Sequence, residues 1–214
     1  MSSAELERLV LLLDLKPVDL DRMKVYEGLV RKWSNVKNLV SASALADLWV
    51  RHLLDSAQVQ RAFPKVKQWA DLGSGGGFPG VVTAILLADV PGSHVHMVES
   101  DGRKCAFLRA VSRETGLRTT VHHARIETVV TDLDHIEAVS ARALAEMDKL
   151  VEWATPFIEK GAIGVFPKGK GHREELTKLS MDSRFNLEIR PSISQSDGVI
   201  VLVSRRDPLG GDVS

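Results

Sequence analysis

Trp69-Ala70-Asp71-Leu72-Gly73-Ser74-Gly75-Gly76-Gly77-Phe78-Pro79-Gly80 decides the fold. An apolar run ends on an acid, enters a glycine-rich turn and opens a helix. Glycine lets the backbone take left-handed conformations and lie close to a ligand, and helix N-terminal amides can face that ligand. A second apolar run, His94-Val95-His96-Met97-Val98, ends on Glu99, roughly 20 residues past these glycines. That pairing marks a nucleoside-containing cofactor held in a βαβ unit, with the acid on the ribose hydroxyls. The glycines alone equally suit a tight strand-to-helix turn with no ligand.

Two details choose among cofactors. Asp71 stands just before the first glycine, where dinucleotide folds carry an apolar residue. A carboxylate there suits a ligand with an ammonium group, such as the methionine end of S-adenosylmethionine, and repels a pyrophosphate. Pro79 falls at the helix start, where its missing N–H costs nothing and denies a phosphate one donor. Both details favour a methyl donor over NAD.

The 214 residues suffice for one domain plus an extension, and 44% hydrophobic residues suffice for a full core. Lys and Arg total 28 against 28 Asp and Glu. That balance argues against a general nucleic-acid coat protein, not against an enzyme that meets RNA on one face. The lone Cys105 excludes an internal disulfide and fits a reducing cytoplasm. Its neighbours Phe107 and Leu108 make it a small buried hydrophobe. Leu9-Val10-Leu11-Leu12-Leu13 is too short to span a bilayer and follows no cleavable signal pattern, so no membrane association is expected. His94, His96, His122 and His123 lack a cysteine partner, and no metal site is expected.

Residues 1–66 read as a helical extension. Asp19 is placed to cap a helix from Leu20 to Trp33, and Ser43 to cap another carrying Leu45, Leu48 and Trp49. From Lys67 short apolar strands alternate with helices, the pattern of a parallel sheet, and this second unit spans 67–207. Near the end, apolar stretches flank Ser194-Gln195-Ser196-Asp197-Gly198 as a β-hairpin with a longer loop. The tail 208–214, with Pro208, Gly210 and Gly211, is expected to be disordered. In a parallel sheet the ligand sits beyond the strand C-termini. Gly73, Glu99, the turn after His122 and Arg142 all fall there.

The chain resembles the bacterial 16S ribosomal RNA guanine-N7 methyltransferases, formerly called the glucose-inhibited division protein B family. The resemblance rests on Asp71 to Gly80, Asn38-Leu39-Val40-Ser41, Arg51-His52-Leu53-Leu54-Asp55-Ser56, Val98-Glu99-Ser100, Lys104-Cys105-Ala106-Phe107-Leu108, Ser140-Ala141-Arg142-Ala143 and Lys168-Gly169-Lys170. Gly76, Pro167 and Leu144 depart from the family pattern, and none removes a polar group that the chemistry needs. The resemblance implies an α/β, Rossmann-like class I methyltransferase fold. Its sheet is seven-stranded and mostly parallel with an antiparallel last strand, and a helical extension precedes it. It implies S-adenosylmethionine as cofactor, a monomer, and 16S rRNA or the small ribosomal subunit as partner. The modified guanosine would lie near the decoding centre.

The resemblance also implies that Gly73 and Phe78 border the cofactor, that Ile126 and Glu127 lie beside adenine, and that Arg142 completes the set. Read from chemistry, Glu99 takes the ribose hydroxyls, Asp71 holds the donor's ammonium directly or through water, and Gly75 belongs to the close backbone turn. The plainer readings are a solvated strand-end acid for Glu99 and a carboxylate capping the turn for Asp71. Arg142 suits Asp71, the donor carboxylate, or an RNA phosphate or base; a strand-end salt bridge is its plainer reading. His52 and Asp55 share a helical face and shape a guanine pocket, or simply pack a helix on the sheet. Arg51, Lys168, Lys170 and Arg173 are the RNA-contact candidates, the last three on a glycine-containing loop. Guanine N7 carries a free lone pair, so no general base is required. A methyltransferase of another RNA or small molecule, an NAD(P) oxidoreductase, and a cofactor-binding assembly protein stay open as alternatives.

Overall fold

The computed structural model describes residues 3–37, 45, 47–179 and 182–206. Seven strands form one sheet: β1 Gln68–Leu72, β2 His94–Glu99, β3 Thr119–His123, β4 Ala138–Ser140, β5 Ile163–Lys168, β6 Phe185–Pro191 and β7 Val199–Arg205. Their spatial order is β3-β2-β1-β4-β5-β7-β6. β1 pairs in parallel with β2 and β4, β4 in parallel with β5, and β7 runs antiparallel to both β5 and β6. The last strand is thus antiparallel to its neighbours, as the family resemblance implies. The order reverses at β1, so the cleft between β1 and β4 opens at the carboxyl ends of the central strands.

The helices are α1 Ser3–Leu12, α2 Pro17–Lys37, α3 Asp55–Arg61, α4 Gly80–Leu86, α5 Gly102–Thr115, α6 Met147–Ile158 and α7 His172–Leu179. A wide π-helical turn, Leu48–Leu54, runs straight into α3. The helix α5 shows why its boundaries fall where they do. The Asp101 carboxylate accepts from the Arg103 and Lys104 amides, and Gly116 closes the other end at φ +66°. One helix start differs from expectation. Asp19 does not cap a helix from Leu20. Pro17 opens α2 earlier with its preset φ, and Asp19 accepts the Lys16 amide at 3.1 Å from inside the first turn. The Ser43 cap, Asn38 to Ser41 and the 208–214 tail lie outside the described residues.

Strand alternation sorts the core onto two faces. Trp69, Val95 and Met97 point to one face, with α2, α3, α4 and α5 around them. Ala70, Leu72, Val98 and Val139 point to the other, covered by α6 and α7. The fully buried Trp69, Tyr26, Phe107 and Phe157 each remove an aromatic ring from water, worth roughly 1.5–3 kcal/mol apiece. The N-terminal helices share one continuous core with the sheet rather than forming their own. Lys168 lies at the end of β5 and not on a loop, which corrects the loop assignment. Pro167 fits that strand because β4 pairs with β5 only as far as Val165, so its missing N–H removes no bond on that side. Among the described residues no helix is long and apolar enough to cross a membrane.

Candidate functional site

The glycine turn follows β1. Gly73, Gly75 and Gly77 all have positive φ, at 65°, 55° and 94°, where a side chain would be strained. Gly77 also has no room: a Cβ there would lie 2.7 Å from Tyr26 Oη and 2.5 Å from Val81 Cγ2. The Tyr26 hydroxyl donates to the Gly76 carbonyl, so α2 braces the turn from the side. Burial raises the Tyr26 phenol well above its usual range, and it stays a donor.

Beyond this turn lies a crevice of about 490 Å³. It is lined by Gly73, Gly75, Phe78, Glu99, Ile126, Glu127 and Arg142, which brings together seven of the eight positions singled out for a cofactor. Glu99 is held from both sides. Its Oε2 accepts from the Gly75 amide at 2.9 Å and its Oε1 from the Asp101 amide at 2.8 Å. Each oxygen keeps a further lone pair for a hydroxyl. Buried Ile126 supplies an apolar wall beside exposed Glu127. Glu127 accepts from the Trp153 indole at 2.9 Å, and the amide and indole around it hold its carboxyl below the usual range. Ser100, Lys104, Leu144 and Trp153 also line the crevice, and the sequence reading did not single them out. Leu144 presses on the turn: a Cβ on Gly73 would lie 2.5 Å from Leu144 Cδ1.

Asp71 is the eighth position, and it does not line the crevice. Alternation along β1 puts it on the Trp69 face, beneath the turn and 1% exposed. Its Oδ1 accepts from Ser140 Oγ at 2.7 Å, and Gly80 passes so close that a Cβ would lie 2.5 Å from Oδ2. The start of α4 therefore faces Asp71 rather than the crevice. Desolvation pushes the Asp71 carboxyl up to about 6, against the downward pull of Ser74, Ser140, the Gly80 amide and Arg142.

A second cavity of about 460 Å³ opens on the other side of Arg142 and Ala143, which line both. Arg51, His52, Asp55, Lys168 and Lys170 line it. Arg142 is the hub. Its Nη1 donates to the Arg51 carbonyl at 2.9 Å and to Asp55 Oδ2 at 3.3 Å, and its Nη2 donates to His52 Nδ1. The guanidinium also lies 5.2 Å from the Phe78 ring centre, and the His52 ring is 5.1 Å from the same ring. Burial first, then the Arg142 and Arg51 charges, lower the His52 imidazole to about 4, so it is neutral at pH 7. The next residue, Ala143, has φ 52°, a conformation a residue with a Cβ adopts at a cost of about 1 kcal/mol.

The cations of this cleft are all paired. Lys168, 13% exposed, sits 2.6 Å from Glu175 and donates to the Ala145 carbonyl at 3.2 Å. Lys170 and Arg51 face water, each 3.6 Å from an exposed carboxylate, on Asp197 and Asp47. The side chain of Arg173 lies outside the described residues. Glu175, Ser192, Gln195 and Gly198 complete the cleft. They come from α7 and the β6–β7 loop, and no local pattern in the sequence points to them. The histidine ladder lies elsewhere. His96 Nδ1 is 3.0 Å from His122 Nε2 on the β2–β3 face, and among the described residues no group of three metal-ligating side chains forms there.

The fold alone relates the chain to methyltransferases of solved structure. The SAH-bound Podospora anserina methyltransferase superposes with a TM-score of 0.62 at 10% identity, covering 97% of each chain. A ribosomal protein L11 methylase from Lactobacillus delbrueckii gives 0.57 at 14% identity, over 73% of this chain and 79% of its own. Sequence relatives are nearer. A "Ribosomal RNA small subunit methyltransferase G" from Parvibaculum lavamentivorans is 49% identical over 185 residues, 86% of this chain and 82% of its own length. Relatives of the same description from Methylorubrum extorquens and Rhizobium meliloti are 42% and 41% identical, over 87% and 86% of this chain and 90% and 87% of theirs. Residues 19–198, which include the whole crevice and all of the cleft lining but Val199, match the family described as rRNA small subunit methyltransferase G. With that match and these relatives, the chain belongs to the rRNA small subunit methyltransferase G family and is an S-adenosylmethionine-dependent rRNA methyltransferase.

Proposed function

We propose that the chain methylates N7 of a guanosine in the 16S rRNA loop near the decoding centre. The donor would lie in the crevice and the target base in the cleft. One observation carries this reading: the two cavities share the Arg142–Ala143 wall, so occupants of each meet there. The crevice suits the donor. Its volume lies in the range of small-molecule sites, and the Glu99 oxygens are aimed by two amides. S-adenosylmethionine supplies an electrophilic methyl group on sulfur. Gly73, Gly75 and Phe78 would border it, Glu99 would accept from the ribose hydroxyls, and Ile126 and Glu127 would hold the adenine. Asp71 acts from beneath, by fixing Ser140 and the start of α4.

The work left to the protein is alignment and exclusion of water. Neutral His52 accepts at Nδ1, so its proton sits on Nε2, a donor for the guanine O6 that leaves N7 free. Methylation puts positive charge on the base. Asp55 offsets the Arg142 charge, so the three polar residues around the base carry no net positive charge to oppose it. Lys170, Arg51 and Arg173 would meet RNA phosphates at the rim, while Lys168 orders the cleft through Glu175.

We keep 1–66 as extension and 67–207 as methyl-transfer domain. We also keep a monomer acting in the cytoplasm, a compartment that suits the free, buried Cys105. The test supplies labelled S-adenosylmethionine with small subunits and naked 16S rRNA from cells lacking the enzyme. Label in 7-methylguanosine at one site is the expected product. Label in another nucleoside overturns the N7 assignment.

A further inference from the structure

The cleft is closed by parts of the chain that are far apart in sequence, and one buried amide joins them. Gln58 in α3 is 6% exposed. Its Nε2 donates to Asp55 Oδ1 at 2.7 Å and lies 3.0 and 3.1 Å from the Ser192 and Ser194 hydroxyls of the β6–β7 loop. Its Oε1 accepts from the Ile193 amide at 3.1 Å. Ser194 Oγ donates to the same Asp55 Oδ1 at 2.7 Å. Both Asp55 oxygens are thereby engaged: Oδ1 takes Gln58 and Ser194, and Oδ2 takes Arg142. The orientation of Arg142 depends on Asp55, and that of Asp55 on Gln58. The loop that Gln58 pins also brings Ser192, Gln195 and Gly198 to the cleft as its far wall. No motif in the sequence links position 58 to positions 192–194.

We propose that Gln58 is a positioning residue for the methyl transfer, setting the Asp55–Arg142 pair and fixing the β6–β7 loop as the far wall of the target-base cleft. The proposal rests on the reading of that cleft given above. Gln58 touches neither cavity, so it acts only through Asp55, Arg142 and the loop.

Two substitutions test it. Gln58→Leu keeps the bulk and removes the amide. KM for the RNA substrate should rise about tenfold, the loss expected when a buried acceptor keeps only part of its partners, with S-adenosylhomocysteine affinity unchanged. Gln58→Glu puts a second carboxyl against Asp55 Oδ1. At low pH the two carboxyls share a proton and the bridge is kept; at high pH both ionise and repel. The charged neighbours that bear on the pair are Arg142 and, behind it, Arg51; His52 stays neutral. The ratio of Gln58→Glu to wild-type activity should therefore fall as pH rises from 6 to 8, while that of Gln58→Leu stays flat. A mere packing role gives two flat ratios and overturns the proposal, as does a Gln58→Leu enzyme with wild-type KM and kcat. Ser194→Ala, at the edge of the network, should raise KM in the same direction without loss of folding, and a wild-type KM there counts against the loop assignment. If the wild-type enzyme itself transfers no label to rRNA, the reading of the cleft fails, and not the role of Gln58.

Discussion

The two cavities on either side of Arg142 are built from different materials. The crevice is shaped mainly by backbone: three glycines at positive φ, and amides of Gly75 and Asp101 that aim one carboxylate. The cleft is shaped by side chains: an arginine tied to an aspartate and a neutral histidine, and a lysine tied to a glutamate. Backbone sites are broken by adding atoms, and side-chain sites by removing charges. The contrast assigns each substitution to one cavity or the other.

The largest effect belongs to the turn. Gly73→Val must hold a branched side chain at φ +65° with Leu144 only 2.5 Å from its Cβ. S-adenosylhomocysteine affinity should fall by more than about 100-fold, read by titration calorimetry on protein shown to be folded by circular dichroism. Near-normal affinity in the folded variant would move the donor elsewhere. Next is Arg142→Ala, which leaves Asp55 buried and short of a partner. Stability to urea should drop by about 3 kcal/mol, and RNA methylation far more steeply than donor affinity. Equal losses in both would mean that the shared wall serves the crevice as much as the cleft.

Asp71 is an exception beneath the crevice, a side chain under a backbone site. Its native value of about 6 exceeds the unfolded value of 3.8. Its contribution favours the fold fully below the unfolded value and is lost as pH rises through about 6. Asp71→Asn should therefore abolish a fall in stability between pH 4 and 6, on the order of 2 kcal/mol. Urea midpoints across that range decide it, and an unchanged pH slope would show Asp71 titrating normally. The smallest contrast lies at the rim. Lys170→Ala should lower the salt slope of RNA binding by about one. Lys168→Ala should leave that slope unchanged and cost stability instead, because Lys168 already belongs to Glu175. A slope change with Lys168→Ala alone would reverse the two roles.

The same contrast explains what could be read from the chain. The alternating strands and helices, the closing hairpin and the crevice were legible because each depends on local pattern: strand alternation, a glycine turn, an acid at the next strand end. The antiparallel placement of the last strand came from the family resemblance. Gly73, Gly75 and Glu99 follow from that local pattern, while Phe78, Ile126 and Glu127 were reached through the family resemblance; with Arg142 they line one crevice. Asp71 sits below it because period-two alternation turned its side chain to the Trp69 face, a fact the motif alone does not display. Lys168 was read as loop because glycines follow it, whereas the β5–β7 ladder extends the strand through Pro167. Gln58, Ser194 and Glu175 were invisible because their partners lie far away in sequence. Trp153 is a milder case, since a helical tryptophan carries no sign that its indole reaches a loop acid.

The loop pinned by Gln58 has a consequence for how the molecule is made. Every residue lining the crevice has left the synthesising ribosome once Trp153 has emerged, and Tyr26, which braces the glycine turn, long before that. The far wall of the cleft comes from the β6–β7 hairpin, which follows Trp153 in the chain. A nascent chain therefore holds the residues of the crevice before it holds those of the cleft's far wall.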